Sequence, residues 1–176
     1  MFQMVYSGLL KVNNAMAVEP DIATAWKVSD DGLVYTFTLR DGVKFHNGRP
    51  VTSDDVVYSF NRILGAKGAF SARFSDIKSI ENPDPRTVVF TLKRPFAPFL
   101  SVLATTKAAI VPKEAVEQNG DLQKVMVGTG PFKFVEYRPG TSLTLERNPD
   151  YYDSGKPYLD RLVIKVIPDE VTRVAP

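Results

Sequence analysis

Residues 30–60 write strand, turn, turn and capped helix without interruption, and no other stretch limits the fold of this chain so tightly. Residues 34–40 alternate, with Tyr35, Phe37 and Leu39 on one face and Val34, Thr36, Thr38 and Arg40 on the other. That is the period-two pattern of a strand with one buried face. Asp41-Gly42 and then Asn47-Gly48 turn the chain. Thr52 with Asp55 three residues later reads as a capping box, opening a helix over 53–64 whose Val56, Phe60, Ile63 and Leu64 share a side.

The same reading extends outward from this unit. Phe2, Val5 and Leu9 have helical spacing and predict a first helix, followed by strands over 21–28 and 33–40 that Ser29-Asp30-Asp31-Gly32 joins into a hairpin. A second hairpin is expected from 77–81 and 87–93 around Asn82-Pro83-Asp84-Pro85. Pro95 leads a brief helix in which Phe96, Phe99, Leu100 and Leu103 share a face, with Pro98 tolerable in its opening turn. An apolar run over 108–111 precedes Pro112, which suits the start of a helix closing near Gly120. Strands follow over 132–137 and 142–147 around Arg138-Pro139-Gly140-Thr141, and residues 162–167 are apolar except Lys165, as for a strand covered on both faces. The expected class is α/β in the broad sense, mixed α+β, with a mixed sheet, β-hairpins and short helices.

Composition narrows function more than it narrows fold. A chain of 176 residues buries roughly 70% of its unfolded surface, enough for a proper core. No run approaches the ~18 apolar residues of a membrane span. A net charge of +2, with no cluster of Lys and Arg interleaved with aromatics, argues against nucleic acid as a partner. The absence of cysteine excludes disulfides and thiol chemistry and leaves the compartment open. Met1 runs straight into the first helical pattern without a secretory leader, so the expectation is a removed leader or a cut chain.

Candidate chemistry is sparse. His46 is the only histidine, and its neighbours Ser53, Asp54 and Asp55 are accounted for by helix capping, so it is expected to support a turn. Asp54, Asp55, Asp150, Asp153 and Asp160 lack the spacing of a calcium loop and read as solvated loop carboxylates; no metal is expected. Gly128-Thr129-Gly130 precedes Pro131 and a strand, not a helix, and reads as a bend and not a phosphate cradle. Trp26, Tyr151, Tyr152 and Tyr158 are expected in core and packing roles.

Four motifs together carry a family likeness: Tyr6-Ser7-Gly8-Leu9-Leu10; the unit over 30–60; Val127-Gly128-Thr129-Gly130-Pro131-Phe132; and Arg147-Asn148-Pro149-Asp150-Tyr151-Tyr152 running into Gly155-Lys156-Pro157-Tyr158-Leu159-Asp160. In that order and at those separations the chain resembles the extracytoplasmic solute-binding proteins of ABC importers, in the family 5 group that binds peptides and nickel complexes. The resemblance implies a two-lobed receptor of which residues 1–176 form one partial domain, the first lobe. By that resemblance the family's initial strand and second lobe are expected to lie outside residues 1–176, and Pro168-Asp169-Glu170-Val171-Thr172-Arg173 is expected where the family starts a helix. It implies solute contacts from Tyr6 and Ser7 and from Thr105, Thr106 and Lys107, with Lys107 able to meet a carboxylate, against surface solvation of the lysine and helix-end roles for the threonines. A peptide or other small solute and the importer's permease subunits are the implied partners. The implied location is periplasmic or extracytoplasmic, membrane-associated in Gram-positive bacteria. With one wall missing, affinity is expected to be weak or absent, and the uncovered inter-lobe surface invites self-association. No cofactor and no catalysis are implied. A docking module without ligand is the alternative, and a hydrolase centred on His46 and Ser53 a remote one.

Overall fold

The alternation at residues 34–40 becomes the spine of the molecule. The computed structural model describes residues 2–66, 68–120 and 125–167. In chain order its elements are helix α1 (Phe2–Val5), strands β1 (Leu10–Val12), β2 (Val18–Pro20), β3 (Ala23–Val28) and β4 (Val34–Leu39), and helix α2 (Ser53–Gly65). Strands β5 (Ile77–Asp84) and β6 (Thr87–Leu92), helices α3 (Phe99–Leu103) and α4 (Lys113–Asn119), and strands β7 (Phe132–Arg138), β8 (Ser142–Arg147) and β9 (Arg161–Lys165) complete it. Single 3-10 turns lie at Ser71–Phe74 and Thr106–Ala108.

Mixed α+β class, hairpins and short helices are as expected. Among the described residues, however, the strands divide into three antiparallel sheets, β1-β2, β3-β4-β6-β5 and β7-β8-β9, and do not form one mixed sheet. A parallel pair needs a crossover of a dozen or more residues. The helical crossover within the four-stranded sheet, through α2, leads into a hairpin whose second strand β6 lies antiparallel to β4, pairing Tyr35 with Phe90 and Phe37 with Val88.

Tyr35, Phe37 and Leu39 form the buried face of β4, and α2 lays Val56 and Phe60 over it. Phe60 meets Phe90 and Phe74 edge-on, with ring centroids 5.0 and 5.5 Å apart. A second cluster, Val5, Tyr6, Val111, Val116, Phe132, Leu143 and Leu145, lies under the β7-β8-β9 sheet. The start of α2 is fixed twice. The Asp55 carboxylate accepts from the Thr52 N–H at 2.9 Å, and Arg49 forks onto the same carboxylate at 2.6 and 3.0 Å while also holding Glu114 of α4 at 2.6 Å.

Several expectations need correction. The first helix ends at Val5, because Gly8 bridges to Ala109 and its carbonyl accepts from the Ile22 N–H, drawing residues 8–12 into extended pairing. The second hairpin turns at Pro85-Arg86, since β5 continues through Asn82, Pro83 and Asp84 as a bulged edge strand where a proline costs no ladder bond. Strand β9 is not covered on both faces. It is the outer strand of its sheet, with Leu162 and Ile164 turned inward and Val163 50% exposed. Tyr158 packs against nothing substantial, being 82% exposed. The helix start expected at 168–173 lies outside the described residues.

Candidate functional site

The site begins with a close approach of two backbones. Residues 128–130 pass so near α1 that a Cβ on Gly128 would sit 2.0 Å from the Val5 carbonyl oxygen, and one on Gly130 2.6 Å from the Val5 carbonyl carbon. Only glycine fits there. The Gly130 N–H donates to the Val5 carbonyl at 2.9 Å, which ties the end of α1 to the bend. His46 braces the other side: its N–H donates to the Gly128 carbonyl at 2.8 Å, Nδ1 accepts from the Gly128 N–H at 3.3 Å, and Nε2 lies 3.0 Å from the Gly130 carbonyl. An acceptor at Nδ1 and a donor at Nε2 define the neutral imidazole, and burial lowers its pKa accordingly.

His46 thus braces the bend at 128–130, and among the described residues its ring bonds to backbone and not to a Ser or Asp side chain. The Ser53 hydroxyl donates to the Asp84 carbonyl at 2.7 Å, Asp54 accepts from Asn82, and Asp55 holds Arg49. The loop carboxylates pair locally, Asp150 with Lys44, Asp153 with Lys156 and Asp160 with Arg147. Among the described residues no group of three His, Cys, Asp or Glu side chains could hold a metal ion.

The chain leaving α1 presents Tyr6 and Ser7 to an open cleft whose far wall is Thr105 and Thr106. Two bonds bring these distant segments together, the Gly8–Ala109 bridge and the Ile110 N–H donating to the Ser7 carbonyl at 3.0 Å. Burial pushes the Tyr6 hydroxyl up to about 12. The Thr105 hydroxyl donates to the Val102 carbonyl at 2.8 Å, so it closes α3 as well as facing the cleft. Lys107 lies on the other side of the threonines. It borders a neighbouring hollow with Phe70 and Arg73, its ammonium 5.3 Å from the Phe70 ring centroid. Of the five expected contact residues, four therefore share one cleft and Lys107 borders the next.

The cleft measures about 140 Å³, well below the ~300 Å³ at which small-molecule pockets usually begin. Its floor holds Asp21, which sequence reasoning passed over, and is reached by Tyr152, which was expected only to pack. Asp21, only 6% exposed, lines it beside Ser7, and the Tyr152 hydroxyl reaches both, in a short contact with the Asp21 carboxylate and at 3.0 Å from the Ser7 hydroxyl. Burial raises the Asp21 pKa, and burial with the Asp21 charge raises that of Tyr152. Tyr152 does pack, with Arg40 5.4 Å over its ring, but its hydroxyl also has polar work. No sequence signal links Asp21 to a tyrosine 131 positions away.

Residues 17–176 match the bacterial extracellular solute-binding proteins, family 5 Middle. The chain belongs to that family. Family 5 proteins are the peptide- and nickel-binding solute receptors of ABC importers. The probable D,D-dipeptide-binding periplasmic protein DdpA of Escherichia coli is 40% identical over 163 residues, 89% of this chain and 31% of that protein. The oligopeptide-binding protein AppA of Bacillus subtilis is 37% identical over 98% of this chain and 33% of its own length. The solved structure of the binding protein AgaA from A. tumefaciens R10 in complex with agropinic acid superposes with a TM-score of 0.93 at 38% identity, covering 98% of this chain and 36% of that one. The chain spans about a third of the length of these relatives. No helix among the described residues is long and apolar enough to cross a membrane.

Proposed function

We propose that residues 1–176 are one partial domain, the first lobe of a solute receptor serving an ABC importer, and that the solute is a peptide. The reading rests on one observation above all: Tyr6, Ser7, Thr105 and Thr106, from segments about a hundred residues apart, converge on a single open cleft. Relatives named for dipeptides and oligopeptides supply the solute class. In this reading the lobe works in the periplasm, or tethered outside the membrane in Gram-positive hosts. It hands solute to permease subunits, and it carries out no reaction and needs no cofactor. Solute contacts come from Tyr6, Ser7, Thr105 and Thr106, with Lys107 meeting a carboxylate from the adjoining hollow. In this reading the open cleft is covered by a second lobe, so the first lobe alone binds peptide weakly, and its uncovered face favours self-association.

Titrating isotope-labelled protein with trialanine tests this. The expected result is a Kd of about 1 mM or weaker, near −4 kcal/mol, with amide shifts at Ser7, Thr105 and Thr106. Submicromolar affinity of this chain alone, or shifts confined to other surfaces, refutes it. A docking role without ligand is the second reading. It draws on the exposed Val163, Val166 and Ile167 at and beyond β9, and it predicts oligomers in light scattering with no response to any peptide.

A further inference from the structure

The floor of the cleft contains a chain of three polar groups whose protons can be counted. The Tyr152 hydroxyl contacts the Asp21 carboxylate and the Ser7 hydroxyl at once, yet a phenol carries one proton. A carboxylate is the stronger acceptor, since hydrogen bonds to an ionised oxygen are shorter and roughly twice as strong as those between neutral groups. The short contact to Asp21 is therefore where the phenolic proton goes. The 3.0 Å contact is then made by the Ser7 hydroxyl, which donates to the Tyr152 oxygen. With its single proton committed inward, Ser7 has only lone pairs left for the cleft.

The charges around this chain keep it in that state. Lys11 of β1 and Arg40 beyond β4 both favour an ionised Asp21, as does the backbone N–H of Gly8. Tyr151 and Asp153 flank Tyr152 on its own loop, and Lys156 holds Asp153. Burial of Asp21 works against its charge, which is why the phenol and the two cations are needed around it.

We propose that Asp21 and Tyr152 are positioning residues that fix Ser7 as a hydrogen-bond acceptor, making the cleft floor a pole that takes an N–H donor of the solute, an ammonium or an amide, and rejects a carboxylate. The two residues act through Ser7. This deepens the first-lobe reading and rests on it. It also assigns the cleft a polarity at Ser7: Lys11, which lines the same cleft beside Asp21, is held by Glu19 at 3.6 Å, while Lys107 and Arg73 border the separate hollow beyond Thr105 and Thr106.

Small probes separate the inference from the reading beneath it. The protein is titrated at neutral pH with L-alaninamide, which offers an ammonium and amide N–H groups, and with propionate, which offers acceptors alone, following the amides of Ser7 and Thr105. Alaninamide should shift them with an affinity about tenfold above propionate. In Tyr152→Phe, which keeps the ring under Arg40, that preference should collapse to within about twofold, because the Ser7 proton is released to donate into the cleft. Asp21→Asn keeps a carbonyl acceptor for the phenolic proton and removes only the charge, so there the preference should fall part of the way, and melting curves of both variants show whether they fold. Propionate binding at Ser7 as well as alaninamide overturns the inference and leaves the lobe reading standing. Silence of the cleft toward both probes and toward trialanine overturns the reading itself, and the inference with it. A preference that survives in a folded Tyr152→Phe shows the phenol does not set the polarity.

Discussion

Replacing Gly128 by alanine adds one methyl group at the point where the bend meets α1. The new Cβ would stand 2.0 Å from the Val5 carbonyl oxygen and 2.8 Å from the Tyr6 ring, and the nearest of these atoms is backbone that no rotamer change can move. Forcing an extra methyl into such a contact costs about 1–3 kcal/mol, and losing the Gly130-to-Val5 hydrogen bond as the backbones part adds about 1 kcal/mol. A total near 3 kcal/mol in a domain of this size lowers Tm by about 6–12 °C. Gly65 at the end of α2 is the control: its Cβ would meet nothing within 4 Å, and its backbone is not left-handed, so alanine there should leave Tm unchanged or raise it slightly. Thermal melts followed by far-ultraviolet circular dichroism compare the two, and the Tyr6 amide and ring resonances report whether the cleft wall has shifted. A Gly128→Ala protein melting within 2 °C of the wild type, ~1 kcal/mol or less, would refute the claim that the two backbones leave no room for a side chain.

The remaining predictions concern burial and charge. Phe60→Ala removes a fully buried ring that two other phenylalanines meet edge-on, and should cost about 3–5 kcal/mol in urea unfolding with an unchanged m-value. Arg49→Leu leaves the buried Asp55 carboxylate with the Thr52 N–H but no cation, and should cost about 2–3 kcal/mol at neutral pH. Glu114 has its pKa lowered by the Arg49 hydrogen bond, so its contribution is present above the ordinary 4.5 and lost as pH falls through the folded value. Arg49→Leu should therefore flatten the acid limb of the stability profile below about pH 4.5. His46 also has a lowered pKa, and here the unfolded chain takes the proton first: stability should decline as pH drops below 6.5, and His46→Gln should remove that slope in denaturant melts across pH 5–8.

What sequence made legible was local. The alternation over 34–40 has period two and needs no partner to be read, and the β4 face buries as its pattern requires. The capping box at Thr52 and Asp55 and the left-handed Gly120 after α4 are equally short in range. Errors arose where a distant segment overrode the local pattern. Leu9 has helical spacing from Val5, but Gly8 is claimed by Ala109 and Ile22, a preference that nothing within ten residues encodes. The apolar run after Leu162 could not declare itself an outer strand, because that depends on which strands lie beside it. The family likeness pointed to Tyr6, Ser7 and the segment after the proline-led helix, and four of the five residues it named border one cleft, whereas the link between Asp21 and Tyr152 became visible only once the fold had closed the gap between them.

The seam between α1 and residues 128–130 also decides where the molecule tolerates handling. A helix of four residues has no independent stability, and its far end is held by one backbone bond and the cluster around Val5. A dye or tether joined to Phe2–Val5 would transmit its load straight into the wall that carries Tyr6 and Ser7. The exposed turn at Gly140, at the tip of the β7-β8 hairpin, offers an attachment point that leaves that wall at rest.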